Sequence, residues 1–146
     1  MTTIAWDGET LAADKGSWSG GLHHPVRKVF KITDPSGDPF LVAFCGCGGF
    51  ATAVLGWMKG GDHPGPCHPD DVSRVCALAV DVRRDVWELS GALRWMKREG
   101  SLATAGAGQE IAIGALMAGA SAVEAVNIAA SVSYYAARGV DSVCFE

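Results

Sequence analysis

Two dense turn signals divide the first third of the chain into four short runs, and this punctuation limits the possible folds more than any other feature. Asp7-Gly8 separates residues 2–6 from 10–14, and Asp34-Pro35-Ser36-Gly37-Asp38-Pro39 separates residues 26–32 from 40–45. Asp-Gly supplies the positive φ of a tight hairpin, and clustered Pro, Gly and Asp cannot continue a strand or a helix. Two antiparallel hairpins are therefore expected. The Ser/Gly-rich stretch between them, residues 16–21, is expected to be a loop. Gly46-Cys47-Gly48-Gly49 then opens a helical run, residues 50–59, which Gly60-Gly61 closes.

A Pro/His/Gly loop is expected over residues 62–69, with strands over 75–82, 86–89 and 93–96. Residues 108–118 and 123–131 read as helices, the second opened by the capping-box pattern Ser121-Ala-Val-Glu124. A last strand is expected over 140–145. Strands, helix, strands, helices and strand form a layered α+β order.

With 146 residues the chain is expected to be a single domain, 1–146. It is 49% hydrophobic and 19% charged, richer in apolar side chains than an ordinary soluble monomer, so some of that surface is expected to lie against identical subunits. The net charge of -4, with Lys and Arg scattered, gives no basis for binding nucleic acid. Gly, Pro or charge interrupts every apolar run, so no membrane span is expected. The N-terminus lacks the basic and apolar regions of a signal peptide, and a cytoplasmic location is expected. The five cysteines are expected to be reduced thiols. Cys45-Gly-Cys47, His63 and Cys67-His68 lack the paired spacing of a zinc site, so neither metal nor cofactor is expected.

Lys28 would share one face of a strand with Val26, Phe30 and Ile32, and a lysine on an apolar face must be paired or placed at a cleft. Asp14, at the end of an earlier run, is its natural partner. Spacing alone leaves open an ordinary cross-strand salt bridge. Thr2 adds chemistry at the far end of that hairpin. Removal of Met1, which the small side chain of Thr2 permits, would put a hydroxyl nucleophile and an α-amine base on one residue.

The start Thr2-Thr3-Ile4, Asp14 in Leu-Ala-Ala-Asp and Lys28 in Val-Arg-Lys-Val-Phe-Lys-Ile together resemble the proteasome β-subunit family of N-terminal nucleophile hydrolases. The resemblance is to the bacterial proteasome-like threonine peptidases in particular, and runs from Thr2 to around Gly119. It implies a four-layer αββα sandwich, two sheets between outer helices. It implies a threonine-type peptidase with Thr2, Lys28 and Asp14 as catalytic residues and the Gly48 amide as oxyanion donor. Cys47 would line the substrate cleft, and Phe50 would wall the pocket for the side chain before the scissile bond, unless it packs into the core. A homo-oligomeric ring, as stacked rings, with peptide or unfolded protein as substrate and an ATPase as a further partner, belongs to the same implication. The chain departs from the family at Gly106-Ala107-Gly108, where a serine is usual, and around Ser133 and Ala136, where supporting Asp and Ser/Thr residues are usual. A non-catalytic assembly subunit and a small-amide amidase are the alternative functions.

Overall fold

A computed structural model describes residues 1–132 and 139–146. The first hairpin forms as expected: β1 (Thr3–Trp6) and β2 (Leu11–Asp14) pair antiparallel around a turn in which Gly8 takes φ +100. They sit at the centre of a four-stranded sheet, order β10-β1-β2-β11. The flanking strands are β10 (Ala103–Gly106) and β11 (Val140–Val143). A second sheet is a five-stranded antiparallel meander of β5 (Val29–Thr33), β6 (Pro39–Cys45), β7 (Cys76–Val80), β8 (Val86–Ser90) and β9 (Trp95–Arg98).

The alternation of each strand divides its side chains between two faces, and this assembles the core. Ile4, Trp6, Leu11 and Ala13 of the first sheet meet Val29, Leu41, Ala43, Leu78, Val80 and Val86 of the second. The opposite face of the first sheet presents Ala5 and Ala12 to α2 (Gln109–Met117) and α3 (Ala122–Val132). Those helices answer with Ala112, Ala122, Ala125, Val126 and Ala129, so small residues on both sides let backbone approach backbone. The opposite face of the second sheet carries Ile32, Val42, Phe44 and Leu89, covered by Phe50 and Val54 of α1 (Gly48–Met58). The capping box of α3 has both its bonds: Glu124 N–H donates to Ser121 Oγ at 3.2 Å, and Ser121 N–H donates to Glu124 Oε2 at 2.9 Å.

Four expectations are corrected. The described residues are mostly antiparallel sheet with three short helices, and the complete four-layer αββα sandwich is not what they form. A helix pair covers the first sheet, but only the single α1 covers the second. After α1, residues 59–75 run without helix or strand, their Pro and Gly unable to hold one. Residues 16–21 are not a loop: β3 (Gly16–Ser19) and β4 (Leu22–Pro25) pair as a hairpin. Gly20 and Gly21 both take positive φ, +55 and +84, as a two-residue hairpin turn requires. The strand expected at 93–96 starts later, because Leu93 closes a turn on Ser90 with φ +59. The strand at 26–32 begins only at Val29, which leaves Lys28 at its entrance. No helix among the described residues is long and apolar enough to cross a membrane.

Candidate active site

Antiparallel order gathers chain ends. The start of β1, the ends of β2, β6 and β10 and the starts of β5 and β7 all lie at one edge of the sheet pair. Thr3 pairs with Gly106 across the first sheet, and the β1–β2 register continues one step beyond Ile4–Ala13 to set Thr3 opposite Asp14. Asp14 Oδ1 accepts the Thr3 N–H at 2.7 Å, and Oδ2 accepts the Gly16 N–H at 3.0 Å. Lys28 enters from the second sheet, and its Nζ donates to Asp14 Oδ2 at 2.8 Å, Thr2 Oγ1 at 3.1 Å and the Met1 carbonyl at 3.1 Å. Thr2, Asp14 and Lys28 are all buried, with 9%, 4% and 8% of their surfaces exposed.

Such a pair contributes little net stability, because desolvation of both ions offsets most of their attraction. Its chemical consequence is clearer. An ammonium has three N–H bonds, and Lys28 directs one of them at a threonine hydroxyl oxygen. As a donor to Oγ1, Lys28 favours negative charge there and is not placed to accept the hydroxyl proton. A base must come from elsewhere, and the Thr2 nitrogen, an amide while Met1 is attached, belongs to the same residue.

Thr2 and Met1 stand between two clefts. One, of about 430 Å³, is walled by Ser17 and Trp18 of β3, Arg27, Phe30 and Phe44, and by Gly48, Ala51, Thr52 and Leu55 along one face of α1. The other, of about 450 Å³, is walled by Cys45, Cys76, Glu88, Ala105 and Ala107. Gly48 is the first residue of α1, so its N–H has no acceptor within the helix, and the residue lines the first cleft. The turn before it depends on Gly46 at φ +98, where a Cβ would stand 2.7 Å from the Arg74 carbonyl oxygen and from Val75 Cγ1.

The structure therefore brings Thr2, Asp14, Lys28, Gly48 and Cys47 to one edge, with Ala107 on the far cleft beside Thr2. Phe50 is not among them. It is 7% exposed and packs edge-to-face on Phe44, at 6.3 Å between ring centroids, on the core side of α1. The helix turns Ala51, Thr52 and Leu55 toward the cleft instead, residues that a 3.6-residue period starting from Gly48 would have indicated. Trp18, half exposed and stacked on His23 at 4.4 Å, joins the wall through the β3–β4 hairpin, which a Ser/Gly-rich composition does not signal. Gly106 and Gly108, which flank Ala107, also shape this edge: a Cβ on either would strike Thr2 or Thr3. The positions of Ser133 and Ala136 lie outside the described residues. No group of three or more His, Cys, Asp or Glu among the described residues is arranged to hold a metal ion.

No family model matches the chain, and no curated protein matches it. Solved structures do. Anbu from Hyphomicrobium sp. strain MC1 superposes with a TM-score of 0.73 at 8% identity, over 100% of this chain and 82% of that one. The helical assembly of the Anbu complex from Pseudomonas aeruginosa gives 0.69 at 8% identity, over 100% and 81%. Anbu, an ancestral beta-subunit, from Yersinia bercovieri gives 0.65 at 7% identity, over 99% and 81%. At such identities the likeness establishes a shared fold. It also corrects the resemblance drawn from sequence motifs: these neighbours are Anbu proteins, one described as an ancestral beta-subunit, and not the proteasome β-subunit peptidases that the motifs suggested. Thr2, Asp14 and Lys28 are too few and too widely spaced to fix a family by themselves.

Proposed function

We propose that this chain is a threonine-type hydrolase of peptide bonds, with Thr2 as nucleophile after cleavage of the Met1–Thr2 bond. The observation that carries the proposal is the buried Lys28 ammonium, which joins Asp14 at 2.8 Å to Thr2 Oγ1 at 3.1 Å between two open clefts. In the proposed reaction Oγ1 attacks the carbonyl carbon and its proton passes to the freed α-amine, directly or through water. A free α-amine titrates near ~8, suited to a base at neutral pH. Lys28 favours the alkoxide-like oxygen, Asp14 holds Lys28 in place, and the Gly48 N–H at the start of α1 faces the developing oxyanion. Cys47 and the small side chains of α1 flank the acyl group. The α-ammonium passes the Oγ1 proton to the leaving nitrogen as the C–N bond breaks and the amine product departs. The α-amine then takes a proton from the attacking water and returns it to Oγ1 as the ester bond breaks.

Homo-oligomerisation belongs to the same proposal. The Pseudomonas aeruginosa Anbu complex forms a helical assembly, and its fold is shared by this chain. A homo-oligomer here would enclose the Thr2 edge, and electron microscopy would distinguish a closed ring from a helical stack. A second reading, a non-catalytic assembly subunit, has one observation in its favour: Ala107, on the second cleft beside Thr2, offers no hydroxyl to the proton path.

Intact-mass measurement combined with a threonine-directed covalent probe tests the proposal. Protein lacking Met1 should gain one probe mass, while Thr2→Ala should gain none and should melt at a similar temperature. Protein verifiably starting at Thr2 that takes up no probe would overturn the hydrolase in favour of the assembly subunit. Turnover of small amides but not of peptides would move the assignment to an amidase.

A further inference from the structure

The wall of the second cleft holds two cysteines that the proposed hydrolysis does not use. Cys45 ends β6, Cys76 starts β7, and the two are direct register partners. Residues opposed in an antiparallel ladder have Cα atoms about 4.5–5.5 Å apart, within the span that a disulfide bridges. Their sulfurs are hydrogen-bonded at 2.7 Å, and both thiols are free. Both line the cleft of about 450 Å³ that also contains Thr2, so a solute can reach them.

We propose that Cys45 and Cys76 form a reversible dithiol–disulfide site that exchanges with low-molecular-weight disulfides. The surroundings assign the two sulfurs different roles. Either sulfur can donate in their shared hydrogen bond; with Cys76 donating, the Cys45 thiol is held below the usual range, with Lys28 acting in the same direction against burial and Glu88. Cys76, as that donor and itself partly buried, is pushed up. Cys45 is therefore the attacking sulfur. Its thiolate attacks one sulfur of the external disulfide, forms a mixed disulfide and releases one thiol. Once Cys45 is blocked, Cys76 no longer donates to a thiolate; it loses its proton to solvent, attacks the Cys45 sulfur and releases the second thiol. Two protein thiols are oxidised, one external disulfide is reduced to two thiols, and the electrons balance.

The position gives the bond a consequence. Cys45 leads directly into Gly46, whose backbone lies against Arg74 and Val75, the residues immediately before Cys76. A Cys45–Cys76 bond would fasten both sides of the turn that presents the Gly48 amide. The exchange chemistry does not depend on Thr2 being a nucleophile, so the two proposals fail separately.

The test equilibrates the full chain in glutathione buffers from fully reduced to fully oxidised, followed by alkylation and tryptic mapping. The segments 32–59 and 75–83 should become disulfide-linked through Cys45 and Cys76, with Cys47 alkylated, and dithiothreitol should reverse the link. The linked form should melt several degrees higher, since the bond closes a long loop in the unfolded chain. In Cys76→Ser, Cys45 should stop at the mixed disulfide and gain one glutathione mass. Full alkylation of Cys45 and Cys76 at every buffer ratio, or a link from Cys76 to Cys47, would overturn the proposal. If Cys76→Ser does not fold, the wild-type map alone decides.

Discussion

Lys28 donates to three oxygens, and none of its hydrogens is left for a fourth partner. Its removal should therefore have two separable effects. Lys28→Ala leaves Asp14 buried with only the backbone donors of Thr3 and Gly16, and breaking a buried pair costs about 3–5 kcal/mol. The same change removes the charge facing Thr2 Oγ1, and labelling of Thr2 should slow by ~100-fold or more. Asp14→Asn should destabilise to a similar degree, because any orientation of its amide points N–H at a donor. It should slow labelling less, since Lys28 still reaches Oγ1. Melting curves beside single-turnover labelling check the split, and a Lys28→Ala protein that labels at the wild-type rate would reduce the pair to a structural bridge. Asp14 and Lys28 were legible in sequence because a hairpin signal and a charge on an apolar face each limit what a residue can do. Phe50 was not, because one apolar residue at a helix start suits a core and a pocket equally well until the helix phase is known.

The elements that escaped the sequence reading share a physical reason. β3 and β4 are built from Ser, Gly, His and Trp around Gly20-Gly21, a composition that serves a loop as readily as a hairpin until a partner strand sets the register. β10 consists of Ala103, Thr104, Ala105 and Gly106, in which only Thr104 favours a strand. Close packing of β10 beside β1 selects them, and no periodicity announces it. Local turn chemistry was more reliable. Asp7 accepts N–H bonds from Glu9 and Thr10 within its hairpin, at 2.9 and 2.8 Å, and from Ala122 at the start of α3, at 2.8 Å. One side chain thus fastens a helix to a hairpin 115 residues away. Partial burial opposes its charge, but those N–H donors outweigh it and hold the carboxyl below its usual range. A lowered folded value means that the contribution is fully present above the unfolded value of about 3.9 and is lost as the pH falls through the folded one. Asp7→Asn should cost about 1 kcal/mol at neutral pH, the scale of one hydrogen bond, because both Asp7 oxygens accept and the amide would turn an N–H toward a donor. In urea titrations its deficit should shrink as the pH falls below 4; a deficit that stays constant across that window would assign the effect to shape rather than charge.

At the scale of the whole molecule, the expected outer layers differ most from the observed ones. Two helices on one side and a single helix on the other leave the two outer surfaces unequal. The solvent side of α2 and α3 exposes Ile111, Met117, Ile128 and Val132, with Met117 at 76% and Val132 at 66%. An apolar surplus of this kind was visible in composition; its location was not, because it depends on which helix face the first sheet occupies. If the proposed homo-oligomer forms through this face, light scattering should give a mass several times the 15.2 kDa of one chain, and Ile128→Lys should lower it without changing the melting temperature. A wild-type monomer at all concentrations would remove the assembly from the proposed function.

Thr2 and Met1 together form the ridge between the two clefts, and both residues line each of them. In the proposed mature form, without Met1, the two hollows would be free to join into one trough beside the Thr2 hydroxyl. An extended polypeptide could then lie with residues to either side of the bond to be cut, and neither of its ends need reach the nucleophile. The proposed reaction would consequently be internal scission and not trimming from a terminus. Peptides acetylated at one end and amidated at the other should be cleaved as fast as their free counterparts, into fragments that mass spectrometry places near the middle of the chain. A strict requirement for a free terminus would mean that one hollow is closed to substrate.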